Sequence, residues 1–399
     1  MRYEFRRGGQ HTVASGDPQW CGGGRRAQRR QAAAGLGGTP GEFGLTLVEV
    51  SWMVSLFMVA STVFGILGGS FADRFDLRRV MVGGLVLTAL SGALGALAPG
   101  ASVLLVSRSF EGVAFMLTVL PVPALLRQTV SSSSLRGWLG AWSAYMPTGM
   151  AVALFISPSL MEVAGWRGVW TFCAVLAAVW AILIAVTQRQ PGTRTAPPLA
   201  IGRAVCETLR APGPWLLALC FGFYAGQFTG IFAFLPSVYR EYGIPAQLGA
   251  SLTAIAVFSN GVGGLSAGLL LQRGADRATL IVMVGLVMAV CGWIAFGADI
   301  DFAWRYTAIV VLSSVGGLIP GTLYATVPFY APSVGAVSTT VGFMQQGVGA
   351  GGMLLPPMMA ALTQAKGDWS STRIATGAAA LVTVALGLMI RRYDAVRPR

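Results

Sequence analysis

Arg108 and Glu111 stand three residues apart inside "SVLLVSRSFEGVAFML" (102–117), a stretch that is otherwise almost wholly apolar. Residues at i and i+3 share one side of a helix, so this guanidinium and carboxylate are spaced to pair. Charge inside a membrane helix is costly, and its default reading is functional. Glu111 is the one acid well inside an apolar run, which makes it the candidate proton carrier. Arg108 then either favours an anionic substrate or holds the Glu111 carboxylate in its charged form. The structural alternative is an arginine reaching to the interface with Glu111 as its counter-ion.

A second group of charges sits in "ADRFDLRR" (72–79): Asp73, Arg74, Asp76, Arg78 and Arg79 fall almost side by side. This pattern reads as a water-facing turn between two membrane helices. Uncharged polar residues inside apolar runs form a third group. Tyr145, Gln227, Asn260, Tyr324, Gln345 and Gln346 are the candidates for a substrate cavity, because polar groups in lipid turn towards the bundle interior.

What is scarce excludes much. The 399 residues hold one His (His11) and one Lys (Lys366), so a two-histidine zinc motif and a Gly-Lys-Ser/Thr phosphate loop are both missing. The five cysteines lack metal-ligand spacing and read as buried small residues. No cofactor or metal is expected, and with no acid–base cluster in the apolar runs the chain does not read as an enzyme. Net charge is +13, but the arginines fall at the ends of apolar runs rather than along one polar face, so no nucleic-acid partner is expected.

Positioning these groups requires membrane helices. Hydrophobic residues make up 54% of the chain and charged residues 11%, against about 25% charged in soluble domains. Mean hydropathy is +0.66. A spanning helix needs about 20 mostly apolar residues, and eleven such segments are expected, near 47–71, 79–99, 102–126, 137–160, 168–187, 213–238, 247–271, 279–298, 304–330, 334–362 and 373–390. The polar stretch 188–212 reads as a linker. With the "ADRFDLRR" side called inside, fifteen loop and tail arginines lie inside and five basic residues outside, which puts linker and C-terminus in the cytoplasm.

The chain repeats at an offset of 199 residues. "GSFADRFDLRR" (69–79) then falls on "GLLLQRGADRA" (268–278): Gly69 meets Gly268, Arg74 meets Arg273, Arg78 meets Arg277, and Asp73 meets Gln272. The same shift sets the apolar 213–238 on 14–39, where four arginines forbid a spanning helix. Either residues 1 to about 40 are a mis-assigned start replacing a first helix, or the chain is an eleven-helix variant with a basic arm.

At "GGSFADRFDLRRVMVGG" the chain resembles the major facilitator superfamily, whose loop between helices 2 and 3 runs Gly-x-x-x-Asp-Arg-x-Gly-Arg-Arg. Gly69, Asp73, Arg74, Arg78 and Arg79 match, while Asp76 replaces the inner Gly and Leu77 replaces one basic residue. "SRSFEGVAF" supplies the Arg-x-x-x-Gly of helix 4, and "GWRGVW" the Gly-Trp-Arg after helix 5. "PVPALLRQ" with "GAWSAYMPTGMAVAL" is similar to cyanate- and nitroimidazole-type permeases, and the drug-antiporter pattern of helix 5 is absent. The resemblance implies an all-α membrane protein of two pseudo-repeated six-helix bundles, with eleven of twelve helices recognisable. It divides the chain into a basic segment at 1–41, bundles at 42–187 and 213–392, the linker 188–212 and a tail at 393–399. It also implies that Gly69, Asp73, Arg74, Arg78, Arg79, Arg273 and Arg277 form a conformational latch. The expected function is a proton-coupled secondary transporter of a small organic solute, an anion if Arg108 binds it, working by alternating access as a monomer in the lipid bilayer of a bacterial-type inner membrane. The alternative is a non-transporting sensor or remnant lacking helix 1.

Overall fold

A backbone amide in lipid has no water to bind, so an apolar run satisfies its polar groups internally by coiling into a helix. The computed structural model describes residues 47–187, 200–297, 300–366 and 372–396, and no strand occurs among them. Met1–Val50 forms a unit of its own, of which Leu47–Val50 is the described part; all that follows concerns Ser51–Arg399. The expectations for the basic N-terminal segment and for the first part of the linker lie outside the described residues.

The first set of helices comprises α1 (Leu47–Arg74), α2 (Leu77–Ala96), α3 (Ala101–Val119), α4 (Val122–Thr129), α5 (Leu135–Ser143) and α6 (Tyr145–Thr187). After α7 (Ile201–Arg210) comes a second set: α8 (Pro212–Glu241), α9 (Ala246–Gln272), α10 (Arg277–Gly297), α11 (Phe302–Gly316), α12 (Leu318–Tyr330), α13 (Val337–Lys366) and α14 (Thr372–Val396). Ten stretches of the described residues are long and apolar enough to cross a membrane. The eleventh expected segment is α13, which is 30 residues long but diluted by Thr339, Thr340, Gln345, Gln346 and several glycines.

The repeat holds in the helices themselves. A shift of 199 carries α1 onto α9 within a residue at either end, α2 onto α10 within two, and the start of α5 onto the turn that opens α13. Two features depart from the expected layout. The polar linker contains α7, whose ten residues bury Ala204 and Thr208 while Arg203 and Glu207 pair on its outer side at 2.8 Å. Two expected segments also run into one another as α6, joined at Gly165 with φ 63°, a backbone conformation that suits glycine.

Local capping explains the helix starts beside the charged turn. Asp76 accepts the Arg79 N–H at 2.8 Å and opens α2. Asp276 accepts both the N–H and the hydroxyl of Thr279 at 2.8 Å and opens α10. A carboxylate at this position satisfies amides that have no partner in the first turn. Asp76, the departure from the family pattern, thus serves as a cap.

The two sets touch closely at the Asp73 end. Gly69 of α1 lies against the Ser338 backbone of α13, and Gly65 against Gly342. Gly140 of α5 lies against Gly268 of α9. Small residues permit such backbone approaches, which carry much of helix association in lipid. Val205 of α7 packs on Ile66, Ala218 and Phe343 beneath this contact.

Candidate functional site

The second set buries aromatic residues at helical spacing on α8. Phe221, Ala225, Phe228 and Phe232 fall at i, i+4, i+7 and i+11, so they share one face. That face is one wall of a cavity of about 350 Å³, whose other walls come from α1, α5, α6, α9, α12 and α13. Four expected cavity residues meet there: Tyr145 from α6, Asn260 from α9, Tyr324 from α12 and Gln345 from α13. The Tyr324 hydroxyl donates to Gln345 Oε1 at 3.3 Å, and the Tyr145 hydroxyl bonds with the same two side chains. Asn260 Nδ2 donates to the Tyr224 hydroxyl at 2.7 Å and to the Ser313 carbonyl at 2.8 Å.

Two expected residues stand elsewhere. Gln227 is fully buried, yet it is not part of the lining, and neither amide atom has a hydrogen-bond partner among the described residues. It lies about 100° round α8 from Phe228 on the side away from Ala225, Thr229 and Phe232, which turns it off the cavity face. Gln346 donates to the Thr62 and Val63 carbonyls of α1 at 2.9 and 3.2 Å, so it braces helices. Phe228, Thr229 and Met150 line the cavity without having been singled out from sequence. The helical spacing on α8 was the available signal.

Arg108 and Glu111 do pair, at 2.6 Å, as their spacing requires. The guanidinium lies over the Trp170 ring at 4.1 Å. They face a different cavity of about 360 Å³, enclosed by α1, α2, α3 and α6, with Thr88, Thr118 and Cys173 among its walls. No lining residue is common to the two cavities. An aromatic row runs between them: Phe57 to Phe115 with ring centres 5.0 Å apart, then Phe115 to Tyr145 at 6.2 Å.

The charged turn makes the closing contact. Asp73 reaches across to α13 and accepts the Ser338 N–H at 3.0 Å, the Thr339 N–H at 2.7 Å and the Thr339 hydroxyl at 2.7 Å. A carboxylate there caps unpaired amides and faces the positive end of the helix dipole. Arg78 donates to the Ile184 and Ala185 carbonyls at 3.1 and 2.7 Å, near the end of α6. Its repeat partner Arg277 pairs instead with Asp394 at 2.9 Å, and Asp394 accepts the Tyr330 hydroxyl at 2.5 Å. Gln272 donates to the Ser134 carbonyl at 3.2 Å. Of the remaining turn residues, Arg74 ends α1, Arg79 gives its amide to Asp76, and Arg273 is the C-cap of α9. Among the described residues no cluster of His, Cys, Asp and Glu is arranged to hold a metal.

A bundle of apolar helices built twice at a fixed offset, with a cavity between the copies and a helix-to-helix closure at one end, defines a polytopic membrane carrier. The family model of the Major Facilitator Superfamily matches residues 33–349, and the chain belongs to that family. It is 27% identical over 361 residues to a probable nitrate/nitrite antiporter of Thermus thermophilus, covering 80% of this chain and 78% of the relative. It is 23% identical to the 2-nitroimidazole transporter of Escherichia coli, covering 89% of each. A 3-(3-hydroxy-phenyl)propionate transporter of the same organism is 24% identical, covering 82% of each. In fold, the chain superposes on the E. coli fucose:proton symporter with a TM-score of 0.72 at 14% identity, covering 86% of this chain and 91% of that one. A structure of that transporter in the outward conformation gives a TM-score of 0.71 at 15% identity, covering 86% and 90%. The chain is an integral membrane protein and a transporter of small solutes.

Proposed function

We propose that this chain is a secondary transporter that moves a small organic solute by alternating access, with the Asp73 end at the cytoplasm. The moving bodies are the helices of 42–187 and those of 213–392, joined by 188–212. One observation carries this reading: the same pair of helical walls is in backbone contact at one end and parted further along. Gly140 lies against Gly268, whereas Ala151 and Phe155 of α6 face Ala254 and Phe258 of α9 across a groove of about 360 Å³. Rigid bodies touching at one end and separated at the other are what rocking about a central site requires. The Asp73 contact on α13 then acts as the latch, with Arg78 and Arg277 holding the ends of their own sets. Glu111 serves as proton carrier, with Arg108 as its ion-pair partner.

Spin labels at Phe75 and Val334, both exposed and on opposite sides of the closure, test this without a known substrate. In nanodiscs the distance distribution should hold a short and a long component, and lowering the pH should change their ratio. A single short component under all conditions would favour a non-transporting sensor.

A further inference from the structure

We propose that the central cavity takes an uncharged, planar aromatic or heteroaromatic solute and rejects anions; this assignment rests on the transporter reading above. Among the described residues the lining contains no Arg, Lys, His, Asp or Glu. An anion entering such a site sheds its water and gains no counter-charge, which is strongly unfavourable. Arg108 does not supply the missing cation. Its charge is matched by Glu111 at 2.6 Å, and the pair faces the other cavity, beyond the Phe57–Phe115–Tyr145 row.

The lining offers ring faces instead. Phe221, Phe228 and Phe232 present a continuous aromatic stripe, with Tyr145 and Tyr324 completing the enclosure. Aromatic groups favour other rings stacked or edge-on, and Tyr324 already meets Phe221 edge-on at 5.5 Å. One polar atom is set to orient such a guest. Both Asn260 amide hydrogens are committed, to Tyr224 and Ser313, which fixes the side chain. Neither of these bonds uses Asn260 Oδ1, and Asn260 lines the cavity while only 3% exposed. An amide oxygen on a cavity wall can accept a ligand N–H or O–H. About 350 Å³ lies at the small end of ligand pockets, room for one or two rings.

The charge rule is read with two probes of one shape. Benzamide and benzoate share a ring and differ in charge, and benzamide carries the N–H that Asn260 would accept. Isothermal titration of the full chain in nanodiscs at pH 7.5 should give saturable benzamide binding at least tenfold tighter than benzoate, with no displacement by nitrate. Asn260→Leu and Phe228→Ala should each weaken benzamide at least fivefold. Phe228→Ala guards against a folding artefact at Asn260, and both variants should melt cooperatively. Benzoate or nitrate binding as tightly as benzamide, no saturable benzamide binding, or benzamide binding indifferent to both substitutions would overturn the assignment. None of these results alters the spin-label distances, so the substrate class can fail while the transporter reading stands.

Discussion

The closure at the Asp73 end is made twice by repeat-related residues, and the two versions differ in chemistry. α1 meets α13 through Gly69 and Asp73, whereas α9 meets α5 through Gly268 and Gln272, the same positions 199 residues on. In the first version a carboxylate accepts two backbone amides at a helix start, where the dipole amounts to about half a positive charge. The second has no carboxylate in these contacts: the Gln272 amide donates to the Ser134 carbonyl and the Arg136 guanidinium to the Leu271 carbonyl at 3.5 Å. Close glycine packing is common to both. The shared geometry therefore rests on backbone contact, and the carboxylate is an addition on one side. A carboxylate can take up a proton, whereas neither the Gln272 amide nor the Arg136 guanidinium does so in the working pH range, so a proton is the probe that separates the two closures.

The largest effect should come from the packing itself. A Cβ at Gly69 would run into the Ser338 and Thr339 backbone, which has no flexible end to move aside. Gly69→Ala should cost about 1–3 kcal/mol, the range for overpacking, and should lengthen the distance between labels at 75 and 334. Gly268→Ala, whose Cβ would approach the Gly137 and Arg136 carbonyls at 2.9 and 3.0 Å, should cost less in the same thermal melts. Equal losses would mean that the closures are mechanically alike.

Next in size is Asp73→Asn, which keeps an acceptor but removes the charge and one of its two oxygens. Cap and dipole effects together suggest about 1–2 kcal/mol, or roughly a tenfold shift towards the long distance component. Gln272→Ala should change the same ratio by less, about 0.5–1 kcal/mol for one neutral hydrogen bond at the surface. A larger response at Gln272 than at Asp73 would reverse the comparison.

The smallest effect concerns the caps of α2 and α10. Burial works against the Asp276 carboxylate, but the Thr279 amide and hydroxyl, with Arg277 and Arg391 nearby, outweigh it and hold this carboxyl below its usual 3.8. A depressed folded-state value gives stability that is present above the unfolded value and lost as pH falls through the folded one. The melting-temperature gap between wild type and Asp276→Asn should therefore be constant from neutral pH down to about 5 and close below about 3. A gap that persists in acid would show that the cap acts through its neutral form.

Much of this arrangement was legible in the sequence. Apolar length and arginine placement located the helices, the 199-residue offset located their partners, and i,i+3 spacing foretold the Arg108–Glu111 pair. The reach of Asp73 was not legible as a contact, because Ser338 and Thr339 lie 265 and 266 residues away in the chain. The facing of single polar residues was also hidden. A soluble helix declares its inner side by an apolar stripe, but in lipid both sides are apolar and that contrast fades. Gln227 and Gln345 therefore looked equivalent, although one faces away from the cavity and the other lines it. α7 went unread because its ten residues sit between Pro198 and Pro212 in a stretch whose composition suggests a connector.

α13 carries both the amides that Asp73 holds, at Ser338 and Thr339, and the cavity residues Gln345 and Val348. Seven residues of helix, about 10 Å, separate the first of these from Gln345. A solute touching Gln345 and a carboxylate gripping Ser338 thus bear on one rod. Linkage then demands reciprocity: by whatever factor an occupant tightens or loosens that grip, the grip must change the occupant's affinity by the same factor.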